Sequence, residues 1–155
     1  MYSILFLPAH LRYMHYKYTA QYNDYEMEYM PRVTVCIKNP KTGSELPVFA
    51  LVDSGAVETL LQREIGEQLG IDIESGERVE FEGIGGVVVG YRHKVLIRLA
   101  GEKNIHLIEC AFTPSRSFDA LLGERGFFEH YKVVFERYKK EFSISVRRKR
   151  AGTVP

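Results

Sequence analysis

The sequence predicts an all-β domain of the barrel or sandwich kind, on three observations. Apolar residues alternate or run continuously in short stretches from residue 32 onward, and turn residues break those stretches at short intervals. Only one or two short helices are expected, the clearer one from the four-residue spacing of Leu61, Ile65 and Leu69. The chain has 155 residues, 45% of them hydrophobic, which suits one compact domain with a single core.

Residues 1–30 stand apart. Tyr13, Tyr16, Tyr18, Tyr22, Tyr25 and Tyr29 crowd them without a sustained period, so the segment reads as an extended arm whose rings pack on the domain or on a partner subunit. The domain itself is expected over residues 31–146. Val33, Val35 and Ile37 alternate as in a strand with one buried face, and the turn residues Asn39-Pro40-Lys41-Thr42-Gly43 follow. Residues 48–52 form a fully apolar strand that runs straight into Asp53. The short helix comes next, with Gly70 where it should stop. Strands are expected at residues 77–82, 87–99 and 105–112, the last two joined by a turn over residues 101–104, so that antiparallel hairpins dominate. A helical turn through Phe127, Phe128 and Tyr131 separates residues 120–123 from strands at 133–136 and 142–146, and residues 147–155 form a basic polar tail.

The formal net charge is +1, so no overall field favours a nucleic-acid or membrane partner. Four basic residues at 147–150 are a solvated tail, and single histidines at positions 10, 15, 93, 106 and 130 lack ligand spacing; neither a metal nor a cofactor is expected. Cys36 and Cys110 are isolated, consistent with two buried thiols in a reducing compartment. The apolar opening has no basic segment before it and is too short to cross a bilayer, so the expected location is the cytoplasm.

Chemistry concentrates at Leu51-Val52-Asp53-Ser54-Gly55-Ala56. A carboxylate ends a buried strand, where a lone charge is costly, and the small residues after it allow another backbone to come close. An isolated Asp-Ser-Gly is also an ordinary turn former. Two more segments bear on the choice: Glu82-Gly83-Ile84-Gly85-Gly86-Val87 at the tip of an expected hairpin, and Ala120-Leu121-Leu122-Gly123-Glu124-Arg125-Gly126-Phe127-Phe128. A phosphate-binding loop does not fit the first of these, because Val88 takes the third glycine position and no helix signal follows.

In that order the three segments resemble the active-site strand, the flap and the barrel-closing segment of retropepsins, the single-domain retroviral-type aspartic proteases, and of their bacterial and archaeal relatives. The likeness covers residues 32–146. It implies a closed acid-protease barrel and a homodimeric aspartic endopeptidase acting on peptide or protein substrates. Catalysis falls to Asp53, Ser54 and Gly55, with Ser54 bonding to the opposite chain's loop. Ala56, Val57, Gly83, Ile84, Gly85 and Gly86 would hold substrate, and Leu122 and Gly123 would support the site.

Peptide hydrolysis by water needs a base to take one proton and an acid to supply another. No second Asp-Ser-Gly or Asp-Thr-Gly occurs at Asp24, Asp72 or Asp119, so the second carboxylate must come from another chain. The family's usual acid after the Asp-Thr-Gly-Ala core and arginine after the later glycine are replaced here by Val57 and Glu124, while Arg125 stands one place on. Arg125 is therefore expected to reach a carboxylate such as Glu58. The competing reading is a noncatalytic module that keeps the groove and has lost turnover.

Overall fold

Alternation along the chain becomes alternation of faces in the computed structural model, which describes residues 13–22, 25–83, 85–114 and 116–147. The apolar opening, residues 148–150 of the basic cluster and Ile84 at the expected flap tip lie outside the described residues. Three strands come first: β1 (Met14–Lys17), β2 (Thr19–Tyr22) and β3 (Met27–Met30). Then follow β4 (Arg32–Lys38), β5 (Glu45–Val52), β6 (Leu60–Gln62) and a helix, α1 (Arg63–Gln68), with a 3-10 turn at Ile73–Ser75. The rest comprises β7 (Glu77–Gly83), β8 (Gly86–Leu99), β9 (His106–Thr113), β10 (Ala120–Leu122), β11 (Tyr131–Glu136), a second 3-10 turn at Arg137–Lys139 and β12 (Glu141–Val146).

Seven strands form the main sheet in the order β4-β5-β10-β6-β9-β8-β7, and β8 pairs with β4 as well. The pairings therefore run in a circuit from β4 round to β8 and back, and β7 hangs outside it. Val33, Val35 and Ile37 of β4 and Val48, Ala50 and Val52 of β5 point into the circuit, where Val95, Ile97, Leu99, Ile108 and Phe112 meet them. Such interior filling is what a small circuit of strands requires. The polar turn is tied as its residues suggest: Gly43 N–H donates to the Asn39 carbonyl at 2.9 Å, and Gly43 adopts a φ of 78°.

Hairpins dominate, as expected, but two pairings are parallel. β10 lies parallel to β5, with Leu122 opposite Val52, and β6 lies parallel to β9. This rearranges the expected helix. Leu61 is not its first turn but a fully buried residue of β6, opposite Ala120 of β10 and Phe112 of β9, because pairing on both sides outweighs one turn of helix. α1 starts at Arg63 and ends where the glycine signal placed it, with Gly70 at φ 71°.

The expected helical turn near Phe127 is a single hydrogen-bonded turn. Tyr131 N–H donates to the Phe127 carbonyl at 3.2 Å, and Tyr131 then enters β11. Two short sheets flank the circuit. β1, β12 and β11 pair antiparallel, and β2 pairs with β3. The tyrosine-rich arm thus packs in part on its own chain: Tyr16 stacks on Phe142 at 5.2 Å and Tyr18 meets it edge-on at 5.8 Å, whereas Tyr22 and Tyr25 are exposed. Of the thiols, Cys110 is fully buried, Cys36 is half-buried and both are free. Among the described residues no helix is long and apolar enough to cross a membrane.

Candidate active site

β5 carries its apolar register to Val52, and the next residue leaves the sheet. Asp53 N–H donates to the Leu122 carbonyl at 3.0 Å, extending the parallel β5–β10 pairing by one bond. The carboxylate is then oriented by its own loop, since Gly55 N–H donates to Asp53 Oδ1 at 2.9 Å and Ala56 N–H to the Asp53 carbonyl at 3.2 Å. Asp53 is half-buried, while Ser54 and Gly55 are exposed. A Cβ on Gly55 would sit 3.2 Å from Asp53 Oδ1, so the small residue keeps the acid's position open rather than relieving the backbone.

A second segment clamps this loop. Glu124 N–H donates to the Ala56 carbonyl and Arg125 N–H to the Val57 carbonyl, each at 2.9 Å, and Thr59 N–H returns to the Arg125 carbonyl at 3.0 Å. Thr59 is fully buried; its hydroxyl donates to the Arg125 carbonyl at 2.9 Å and accepts from Gly123 N–H at 3.2 Å. Gly123 is required by contact. A Cβ there would lie 2.3 Å from the Glu58 carbonyl oxygen and 2.7 Å from that of Ala56. Leu122, fully buried opposite Val52, anchors the same clamp in the core.

Glu58 turns inward and is only 6% exposed. Burial of a lone carboxylate is costly, and here two guanidinium groups offset it. Arg125 Nη1 lies 2.9 Å from Glu58 Oε1, as expected from the shifted arginine. Arg92 of β8 forks onto the same group, Nε to Oε2 at 3.0 Å and Nη2 to Oε1. Its Nη1 also lies 3.4 Å from Glu77 of β7. The Glu58 hydrogen bond holds the Arg92 guanidinium above its usual pKa, against the opposing effect of desolvation. By contrast Val57 is 72% exposed, and Glu124 is exposed beside it.

The glycine-rich segment lies at the end of a two-stranded ribbon. β7 and β8 pair from Glu77–Arg92 to Gly83–Gly86, while the pairing of β8 with β9 begins only at Tyr91. Beyond that residue the ribbon leaves the circuit. Gly86 takes a φ of 108°, a conformation open to glycine, and a Cβ on Gly85 would meet nothing within 4 Å. Val87 and Val88 beside the tip are exposed. Among the described residues no group of three or more potential metal ligands occurs.

The structure thus gathers Asp53, Ser54, Gly55, Ala56, Val57, Leu122 and Gly123 at one end of the β5–β10 seam, and places Gly83, Gly85 and Gly86 on the ribbon. Arg92 escaped sequence reasoning because its partner is 34 residues away and on another strand. Thr59, six residues after Asp53, was missed as well, because its buried hydroxyl finds its partners only where Gly123 and Arg125 arrive beside it.

The chain matches, over residues 42–127, a family model described as "gag-polyprotein putative aspartyl protease". No curated protein matches the sequence significantly. Among solved structures, a retropepsin-like aspartic protease from Rickettsia conorii is similar with a TM-score of 0.63 at 14% identity, over 85% of this chain and 98% of that one. The EIAV protease complexed with the inhibitor HBY-793 aligns with a TM-score of 0.47 at 20% identity, over 67% of this chain and 88% of that one. The retroviral protease-like domain of Ddi1 from Leishmania major aligns with a TM-score of 0.45 at 22% identity, over 61% and 71% respectively. At these identities the likenesses speak to fold alone, and the Rickettsia protein carries that point.

Proposed function

Because this chain belongs to the gag-polyprotein aspartyl protease family, with more than half of its length matched, we propose that it is one half of a homodimeric aspartic endopeptidase. The observation that carries the reading is the Asp53 carboxylate. It is fixed by Gly55 N–H at the end of a core strand, in a loop whose Ser54 and Gly55 are open to a second chain.

Two such loops meeting across a twofold axis would bring two carboxylates together. Like charges that close do not both ionise, so the pair retains one proton. One carboxylate takes a proton from water as its oxygen attacks the peptide carbonyl, and the other supplies a proton to the amide. In this reading Ser54 bonds across the axis to the opposite loop. Gly83, Gly85 and Gly86 serve a flap that closes over an extended peptide, Ile84 is assigned to touch that peptide, and Ala56 and Val57 line its path. The free thiols are in keeping with a cytoplasmic home for the dimer.

One observation favours a second reading. An exposed valine and an exposed glutamate stand where the family commonly has an acid and an arginine, so peptide anchoring differs here even though the carboxylate is present. A noncatalytic peptide-binding dimer would result if that anchoring were indispensable. Cleavage of an unfolded protein mixture from acidic to neutral pH, by wild type and Asp53→Asn, separates the two. Cutting by wild type alone is the expected result, and equal, negligible cutting by both at every pH would leave the binding module.

A further inference from the structure

Glu58 is a buried carboxylate that the proposed chemistry does not use, yet it is the best-satisfied acid near the site. It belongs to the Asp53 segment, five residues along, and pairs as an isolated bridge with Arg125 of the clamp. Its other partner, Arg92, occupies a particular place in the sheet. Arg92 lies opposite Glu77 of β7 on one side and Ala111 of β9 on the other, where the two-stranded ribbon leaves the circuit. Arg92 also approaches Glu77, the first residue of β7. A single carboxylate therefore touches the clamp behind Asp53 through Arg125 and the root of the ribbon through Arg92.

We propose that Glu58 is a positioning residue that fixes the β7–β8 ribbon to the Asp53 loop, so that the flap closes on peptide from a set angle; this rests on the peptidase reading above. The Asp53 loop has its own backbone bonds to Leu122, Ala56 and Val57. The ribbon beyond Tyr91 has pairing with β7 alone. Releasing Glu58 therefore loosens the ribbon far more than it moves Asp53. Weaker hold on substrate, shared by ground and transition states, raises KM and leaves kcat nearly unchanged.

The test is a cycle of Glu58→Gln, Arg92→Gln and the double variant in the full chain, read by peptide kinetics and by amide hydrogen exchange. Glutamine keeps the shape and removes the charge. Each single variant should raise KM about tenfold with kcat within about twofold, and the double should be no worse than either single, as coupled residues behave. Exchange at residues 79–83 and 86–90 should quicken in the same three proteins. Arg98→Gln, which removes an exposed pair with Glu45 farther along β8, should change neither readout. A fall in thermal stability with KM and ribbon exchange unchanged would overturn the inference, as would strictly additive effects. If wild type cuts nothing, the peptidase reading fails by itself, and the exchange measurement still decides whether Glu58 holds the ribbon.

Discussion

Gly123→Ala places one methyl group into the seam between the Asp53 loop and its clamp. The new Cβ would lie 2.3 Å from the Glu58 carbonyl oxygen, 2.5 Å from the Glu58 carbonyl carbon and 2.7 Å from the Ala56 carbonyl oxygen. All three are backbone atoms, which cannot rotate away as a side chain can. The two segments must separate, and the bonds nearest the new methyl are Glu124 N–H to Ala56 O, Arg125 N–H to Val57 O, and Gly123 N–H to Thr59 Oγ1. Losing two of them at about 1 kcal/mol each, with roughly 1–3 kcal/mol for overpacking, gives a destabilisation of about 3–5 kcal/mol. That is a large share of a small domain's stability. Urea unfolding at one fixed protomer concentration measures it, and with a slope of about 2 kcal/mol per molar the midpoint falls by about 2 M. Gly85→Ala, where added bulk meets open space, serves as the control and should barely move the midpoint. A Gly123→Ala protein within about 1 kcal/mol of wild type would refute the idea that this contact demands a glycine.

Gly55→Ala should act on chemistry rather than folding: a Cβ 3.2 Å from Asp53 Oδ1 crowds the acid, so kcat falls at least about tenfold while the unfolding free energy stays within about 1 kcal/mol of wild type, by steady-state kinetics and urea titration. Stability should fall on acidification below the usual imidazole range, because burial first and the stacked His130 ring second hold His106 below its ordinary pKa. The unfolded chain then binds the proton that the folded chain refuses, so stability is full above the unfolded value and declines as pH falls through the folded one. His106→Gln should flatten that slope in urea midpoints taken across the range. Ellman's reagent should modify Cys36 before Cys110 in the native protein, since burial of Cys110 both blocks access and pushes its thiol pKa up, and unfolding should release the second thiol.

Local patterns in the sequence survive well in the fold. The alternation of Val33, Val35 and Ile37, the Asn39–Gly43 turn and the helix stop at Gly70 each depend on neighbours in the chain, and each is where its residues point. The displaced arginine was legible too: with Val57 and Glu124 unable to pair, Arg125 finds Glu58. What failed is what distant strands decide. Leu61 has helical spacing, but β10 and β9 close on both sides of it and hold it in a strand. Tyr131 ends the turn begun at Phe127 because β12 recruits it into β11. Arg92 carries no local signal, because its partner Glu58 lies 34 residues away on another segment. The sequence alone points to Asp53, but the residues that brace it are identified by contacts across the sheet.

Mixing wild type with Asp53→Asn chains tests most directly whether each working site draws one acid from each of two subunits. With wild type held constant and an equal amount of variant allowed to exchange freely, peptidase activity should fall to about half, because mixed pairs lack one carboxylate. Activity unchanged by the variant, once exchange between subunits has been demonstrated, would mean that one chain suffices and would contradict the account.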